Sequence, residues 1–264
     1  MGLNLTVESK QYASGAEVSI DSIPQFVDSN FQLLDSSSMA IDSSSLAIKA
    51  KPFEQKHRAK FIGINPTVLT SIYQAQHNIS VLQRTLPTDM TRTIQQMLDS
   101  GKSLALVETV TPDNTAQWIR DKLSDYACAA SLSEDIALIV DMFCCLFDLP
   151  KVGLRLTILD RPMCPKFHVD HVPCRLVTTY AGSSTQWLDS NNINRSKLGA
   201  GSLGQPDHLS GLFENERAVN TMSPGDVALL KGSGWEGNED NGLVHRSPEL
   251  DLNERRLLLT LDMV

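Results

Sequence analysis

The chain has 264 residues, 41% of them hydrophobic, and carries 31 acidic against 23 basic side chains for a formal net charge of −8. That length allows a sizeable core in one large domain or two small ones. The acidic balance argues against a nucleic-acid partner or an anionic membrane surface, and no run of about 18 apolar residues offers a membrane span.

The opening MGLNLTVESKQ lacks a basic and then apolar leader, so no secretory signal is expected. Five cysteines, an odd count, then fit free thiols in a reducing cytoplasm. Residues 1–60 are the least informative. Their near-duplication, DSSSMAI then DSSSLAI, is too short for a solenoid and reads as a Ser- and Asp-rich loop.

From Asn65 onwards helical signals appear. Pro66 suits a first helical turn, and Ile79–Leu82 reads as a short extended piece. Pro87-Thr88-Asp89 starts a helix whose Met90, Ile94, Met97 and Leu98 keep helical spacing until Gly101. Ser103–Val110 reads as a strand. Thr111-Pro112-Asp113 opens an amphipathic helix through Trp118, Ile119 and Leu123, and Ser133–Phe147 is a largely apolar, buried helix. Cys128, Cys144 and Cys145 on or beside these helices form no metal motif and read as packing.

The texture changes at Pro150. Gly153–Leu159, Cys174–Tyr180, Thr185–Leu188, Asp226–Lys231, Gly242–His245 and Arg256–Met263 read as short strands between turn-rich stretches, the pattern of a sandwich or barrel. No linker at Pro150 separates two domains. The expectation is an α+β chain with one composite domain over 61–264, helical over 61–149 and β over 150–264.

The chemistry concentrates in CPKFHVDHVPCRLVTTY, residues 164–180. On a strand, residues i and i+2 share a face, so His168 and Asp170 can reach one ion. His245 ends a short apolar strand in GLVHRSP, and Arg256 opens the next one. Two imidazoles and a carboxylate on one side of an ion leave its other positions open, which suits Fe(II) that must take further ligands. An Arg fork pairs with a carboxylate in two-point geometry, and Arg255 and Arg256 stand side by side where that strand opens. Tyr180 and Thr178 share the face of Cys174 and Leu176 on a regular strand, so Tyr180 is a candidate cosubstrate contact if that face is the interior. A competing set lies in the same stretch: Cys164, His171 and Cys174, with His168, could hold tetrahedral Zn in the unusual spacing C-x3-H-x2-H-x2-C. Gly232–Gly237 has no following Lys-Ser/Thr and is no P-loop. It reads as a flexible loop near the site mouth, where Trp235 or Trp187 would line a pocket or pack.

H-x-D, a late His and an Arg one strand later together resemble the Fe(II)/2-oxoglutarate-dependent oxygenases over residues 150–264. The resemblance implies a double-stranded β-helix, jelly-roll or cupin-like, with helices packed outside it. It implies Fe(II) held by His168, Asp170 and His245, and 2-oxoglutarate whose far carboxylate sits on Arg256, with Arg255 as the rival for that place. The implied reaction is hydroxylation of an unknown substrate. The Ser usual two residues after that Arg is Leu258 here. The blocks FHVDHVPCRLVTTY, PGDVALLKG, GLVHRSP and RRLLLTLD also resemble an uncharacterised bacterial family without an established activity. The alternative reading is a non-enzymatic, cupin-like metal-binding protein of zinc or iron homeostasis.

Overall fold

The structure is a computed structural model, and it describes residues 61–264. The DSSS duplication lies outside the described residues. Strands β1 (Ile62–Gly63), β2 (Ile79–Leu82) and β3 (Ala105–Val110) are interleaved with a 3-10 helix at Pro66–Tyr73 and with helix α1 (Thr88–Asp99). Helices α2 (Pro112–Lys122) and α3 (Ala129–Phe147) follow. Then come β4 (Val152–Leu159), β5 (Cys174–Ala181), β6 (Gln186–Leu188), β7 (Val219–Thr221), β8 (Val227–Lys231), β9 (His245–Arg246) and β10 (Arg256–Met263).

The helices form where the sequence places both an apolar stripe and a stop. In α1, Met90, Ile94, Met97 and Leu98 are buried on one face, and Gly101 at φ 74° adopts the left-handed turn that a side chain resists. In α2, Pro112 occupies the first turn and the Thr111 backbone N–H donates to Asn114 Oδ1 at 2.9 Å. Leu132, Ile136, Ile139, Val140 and Phe143 are the buried face of α3. Its Leu138 is exposed, as is Cys145, so this helix is buried along one side only and Cys145 is not a packing residue.

Seven strands make one sheet in the order β1-β2-β8-β5-β10-β4-β3, antiparallel except at β1·β2. A smaller sheet runs β7-β6-β9. Three apolar layers result. The largest lies between the helices and the large sheet, where Leu257, Leu259 and Leu261 of β10 meet Leu154 and Leu156 of β4 and Ile136 of α3. A second joins the two sheets through Val81, Val177, Ala228, Leu230 and Trp187. The third packs Phe167, Leu188 and Val244 under Leu212 and Phe213 of the long 189–218 connection. Strands buried on both faces explain why β5, β8 and β10 read as nearly continuous apolar runs.

The division at Pro150 does not divide the sheet. β1, β2 and β3, from the half expected to be helical, complete both flanks of the strands that follow it. Among the described residues, no helix is long and apolar enough to cross a membrane.

Candidate metal centre

His168 and His245 lie directly opposite one another. Each backbone N–H donates to the other's carbonyl at 3.0 Å, forming an antiparallel bridge, so their side chains leave the same face. β9 is in turn held by β6, where Trp187 pairs with His245. The rings stand 4.6 Å apart between centroids. Asp170, two residues beyond His168, returns to that face. Its Oδ1 lies 3.7 Å from His168 Nε2 and its Oδ2 lies 3.4 Å from His245 Nε2. The potential ligand atoms of the three side chains all fall within 4.8 Å of one another, and among the described residues no other such group of His, Cys, Asp or Glu occurs.

The outer nitrogens orient both rings. His168 Nδ1 is 2.9 Å from the Lys166 carbonyl, and His245 Nδ1 is 3.2 Å from the Leu243 carbonyl. A carbonyl only accepts, so each ring carries its proton on Nδ1 and turns the Nε2 lone pair towards Asp170. Three acceptors then face one another. Burial, with His245 nearby, pushes the His168 pKa below 6.5 and so opposes a second ring proton. Burial alone would raise the Asp170 carboxyl, but the hydrogen bond and charge that His245 lends whenever its ring is protonated, together with Arg175, outweigh it and hold the pKa at about 2. Two neutral imidazoles and an ionised carboxylate are the donor set of a divalent cation with positions left open.

Backbone packing fixes the Asp170 turn. Gly232, Ser233 and Gly234 N–H groups donate to the carbonyls of Pro173, Asp170 and Val172 at 2.9, 2.9 and 3.2 Å. A Cβ on Gly232 would stand 2.0 Å from the Val172 oxygen. This Gly-rich segment, expected to be a flexible loop at the site mouth, is therefore a brace that only glycine can form. Trp235 does not line the site; it packs with Tyr73 and Phe147 under Lys231, while Trp187 is buried between the sheets.

Arg256 is 1% exposed. Its guanidinium donates to Thr179 Oγ1 at 3.0 Å and Thr185 Oγ1 at 2.7 Å; among the described residues no carboxylate lies within ion-pair distance, and Glu254 acts on it only from farther away. Burial pushes its pKa down to about 10. Strand alternation puts Arg256 on the face of β10 that also carries Asp262, and Thr179 on the face of β5 that carries Arg175. Arg175 in turn donates to Asp170 at 2.9 Å, so the Arg256 guanidinium and the Asp170 partner lie on the same face of the large sheet. The rival Arg255 is tied instead to the carbonyls of Leu98 and Lys102.

Four expected site residues fall elsewhere. Tyr180 is not a cosubstrate contact. It keeps the face of Cys174 and Leu176, as strand alternation expects, but that face packs into the helix-side core and not into the space between the sheets. There its hydroxyl donates to Asp135 of α3 at 2.7 Å, beside the Arg84–Asp135 ion pair. The Zn alternative fails on faces. Cys174 is fully buried on the helix side, where burial drives its thiol pKa up, while Cys164 is exposed. His171 is exposed with Nδ1 3.0 Å from Ser233 Oγ, on an open cleft with Arg195, Glu239 and Asp240.

The family described as "Protein of unknown function (DUF1826)" matches residues 63–262. The chain belongs to this family. No curated protein matches it. Solved structures similar to this DUF1826 chain include the dioxygenase for auxin oxidation from rice, at 9% identity, TM-score 0.42, covering 75% of this chain and 78% of that one. The dioxygenase for auxin oxidation 1 from Arabidopsis thaliana, a 2-oxoglutarate complex, shows 8% identity, TM-score 0.42, and coverages of 76% and 90%. A Pseudomonas putida prolyl-4-hydroxylase shows 11% identity, TM-score 0.36, and coverages of 75% and 98%. These likenesses are distant.

Proposed function

We propose that the two sheets are a double-stranded β-helix and that the protein is an Fe(II)-dependent oxygenase using 2-oxoglutarate to hydroxylate a substrate still to be identified. His168, Asp170 and His245 would hold the iron through the two Nε2 atoms and a carboxylate oxygen. The observation that carries the reading is Arg256, a buried cation with no carboxylate within ion-pair distance among the described residues, on the sheet face that also carries Arg175, the partner of Asp170.

Burying an unpaired charge costs several kcal/mol unless a ligand supplies the counter-charge. Each Thr hydroxyl accepts from the guanidinium and so keeps its own O–H free to donate. Arg256, Thr179 and Thr185 thus form a cradle for one carboxylate, and the two threonines provide the hydroxyl that Leu258 lacks. A dicarboxylate would span from this cradle to the iron. The chemistry such a centre would supply, with 2-oxoglutarate as cosubstrate, is oxidation of a C–H bond. The chain's own part is to orient that cosubstrate, to hold both rings in one tautomer, and to exclude water with Val177, Trp187 and Leu230.

A protein that only stores metal would need the same three ligands but would give Arg256 no partner. Anaerobic titration separates the two. One Fe(II) should bind per chain and be lost in His168→Ala and His245→Ala, and 2-oxoglutarate should bind only the iron-loaded form. Iron binding that survives both substitutions would sink the triad, and iron binding with no 2-oxoglutarate binding would leave the storage role.

A further inference from the structure

Asp170 is gripped from behind. Arg175 Nη1 donates to Asp170 Oδ2 at 2.9 Å, while its Nε and Nη2 donate to the two Asp262 oxygens at 2.7 and 2.9 Å. Arg175 and Asp262 are direct partners in the β5–β10 register, so the two rigid strands fix the fork. The guanidinium is thus committed to two carboxylates and cannot swing away from either. Oδ2 of Asp170 is already engaged by Arg175, and Oδ1 is not hydrogen-bonded to it.

Resting on the metal-centre reading above, we infer that Arg175, anchored by Asp262, is a positioning residue that restricts Asp170 to one metal-bound oxygen. A free carboxylate can close on a cation with both oxygens and so consume a coordination position. A carboxylate oxygen held at 2.9 Å by a charged donor has one lone pair and part of its charge committed to that donor, which disfavours chelation by both oxygens. The positions kept open are those a chelating cosubstrate and oxygen would need. Asp262 contacts no ligand of the site and acts only through Arg175.

The test uses Co(II) in place of iron, because its visible absorption weakens as coordination number rises, and Mn(II), whose effect on water-proton relaxation counts bound waters. The full chain is compared as wild type, Arg175→Met and Arg175→Lys, each checked for cooperative unfolding. Arg175→Met should weaken the Co(II) absorption by about twofold or more and remove one exchangeable water from Mn(II). Arg175→Lys, which keeps a charged donor, should restore part of both. A folded Arg175→Met protein with the wild-type spectrum and water count overturns the inference. If that variant does not fold, Asp262→Asn takes its place: it should shift both readouts the same way, and unchanged readouts overturn the inference equally. Failure of the wild type to bind Co(II) would instead overturn the metal centre itself, before any variant is compared.

Discussion

Replacing Arg256 with Met should separate the stability of the fold from recognition of its cosubstrate. The shift of the guanidinium from 12.5 to about 10 corresponds to about 3 kcal/mol against keeping the charge in this buried place. Its bonds to Thr179 and Thr185 recover a similar amount, at about 1.5 kcal/mol for each bond from a charged donor. The two terms cancel, and Met fills much of the same volume. The metal-loaded, 2-oxoglutarate-free variant should therefore lie within about 1 kcal/mol of wild type. Adding 2-oxoglutarate at a hundred times its Kd stabilises a protein by about 2.7 kcal/mol. For a domain of this size, that raises Tm by about 5–10 °C. Removing one partner of a buried charge pair costs about 2–5 kcal/mol of binding. In Arg256→Met the same 2-oxoglutarate concentration should then add less than about 1 kcal/mol, or about 2–4 °C. Thermal unfolding of the Mn(II)-loaded proteins under nitrogen, with and without 2-oxoglutarate, measures both quantities. A variant that keeps the full wild-type shift would refute the assignment of Arg256 as the carboxylate anchor.

Tyr180→Phe should lose about 1.5 kcal/mol of stability in denaturant unfolding, for the bond to Asp135, and leave metal and 2-oxoglutarate binding unchanged. Gly232→Ala forces a Cβ against the Val172 and Asp170 carbonyls. It should cost about 1–3 kcal/mol and weaken Mn(II) binding about tenfold or more in a titration. Cys164→Ala with Cys174→Ala should bind one metal ion as wild type does, and lost binding would restore the cysteine site. Acid should destabilise the metal-free protein in two stages, followed by fluorescence. His168 has a depressed pKa, so the unfolded chain takes its proton first and stability falls as pH drops below 6.5. Asp170 contributes stability present above 3.8 and lost as pH falls through about 2.

The site was legible where it depended on strand alternation within one short segment. His168 and Asp170 share a face because they are two residues apart, and β10 begins and ends at the expected Arg256 and Met263. What stayed hidden depended on register between distant segments. Arg175 meets Asp262 only because β5 and β10 align across 87 residues of sequence, and no local pattern encodes that alignment. Tyr180 shares the face of Cys174 and Leu176 as alternation expects, but which face of β5 meets the helices and which meets the second sheet is set by tertiary packing that alternation within one strand does not encode. Gly232 and Gly234 looked like flexibility, whereas their missing side chains are what allow two backbones to touch. β1 and β7, with two and three residues, are too short for periodicity to register and exist because neighbouring strands offer hydrogen bonds. The functional core was thus readable as a set of ligands, and its support was not.

On the proposed reading, His168, Asp170 and His245 would hold iron and Arg256 would hold 2-oxoglutarate beside it. Adding Fe(II) and then 2-oxoglutarate to the oxygen-free protein tests it in a single optical titration. A weak visible charge-transfer band should grow to saturation at one equivalent of each, and should be absent in His245→Ala. A wild-type protein that binds Fe(II) at this site yet develops no band on adding 2-oxoglutarate would contradict the account.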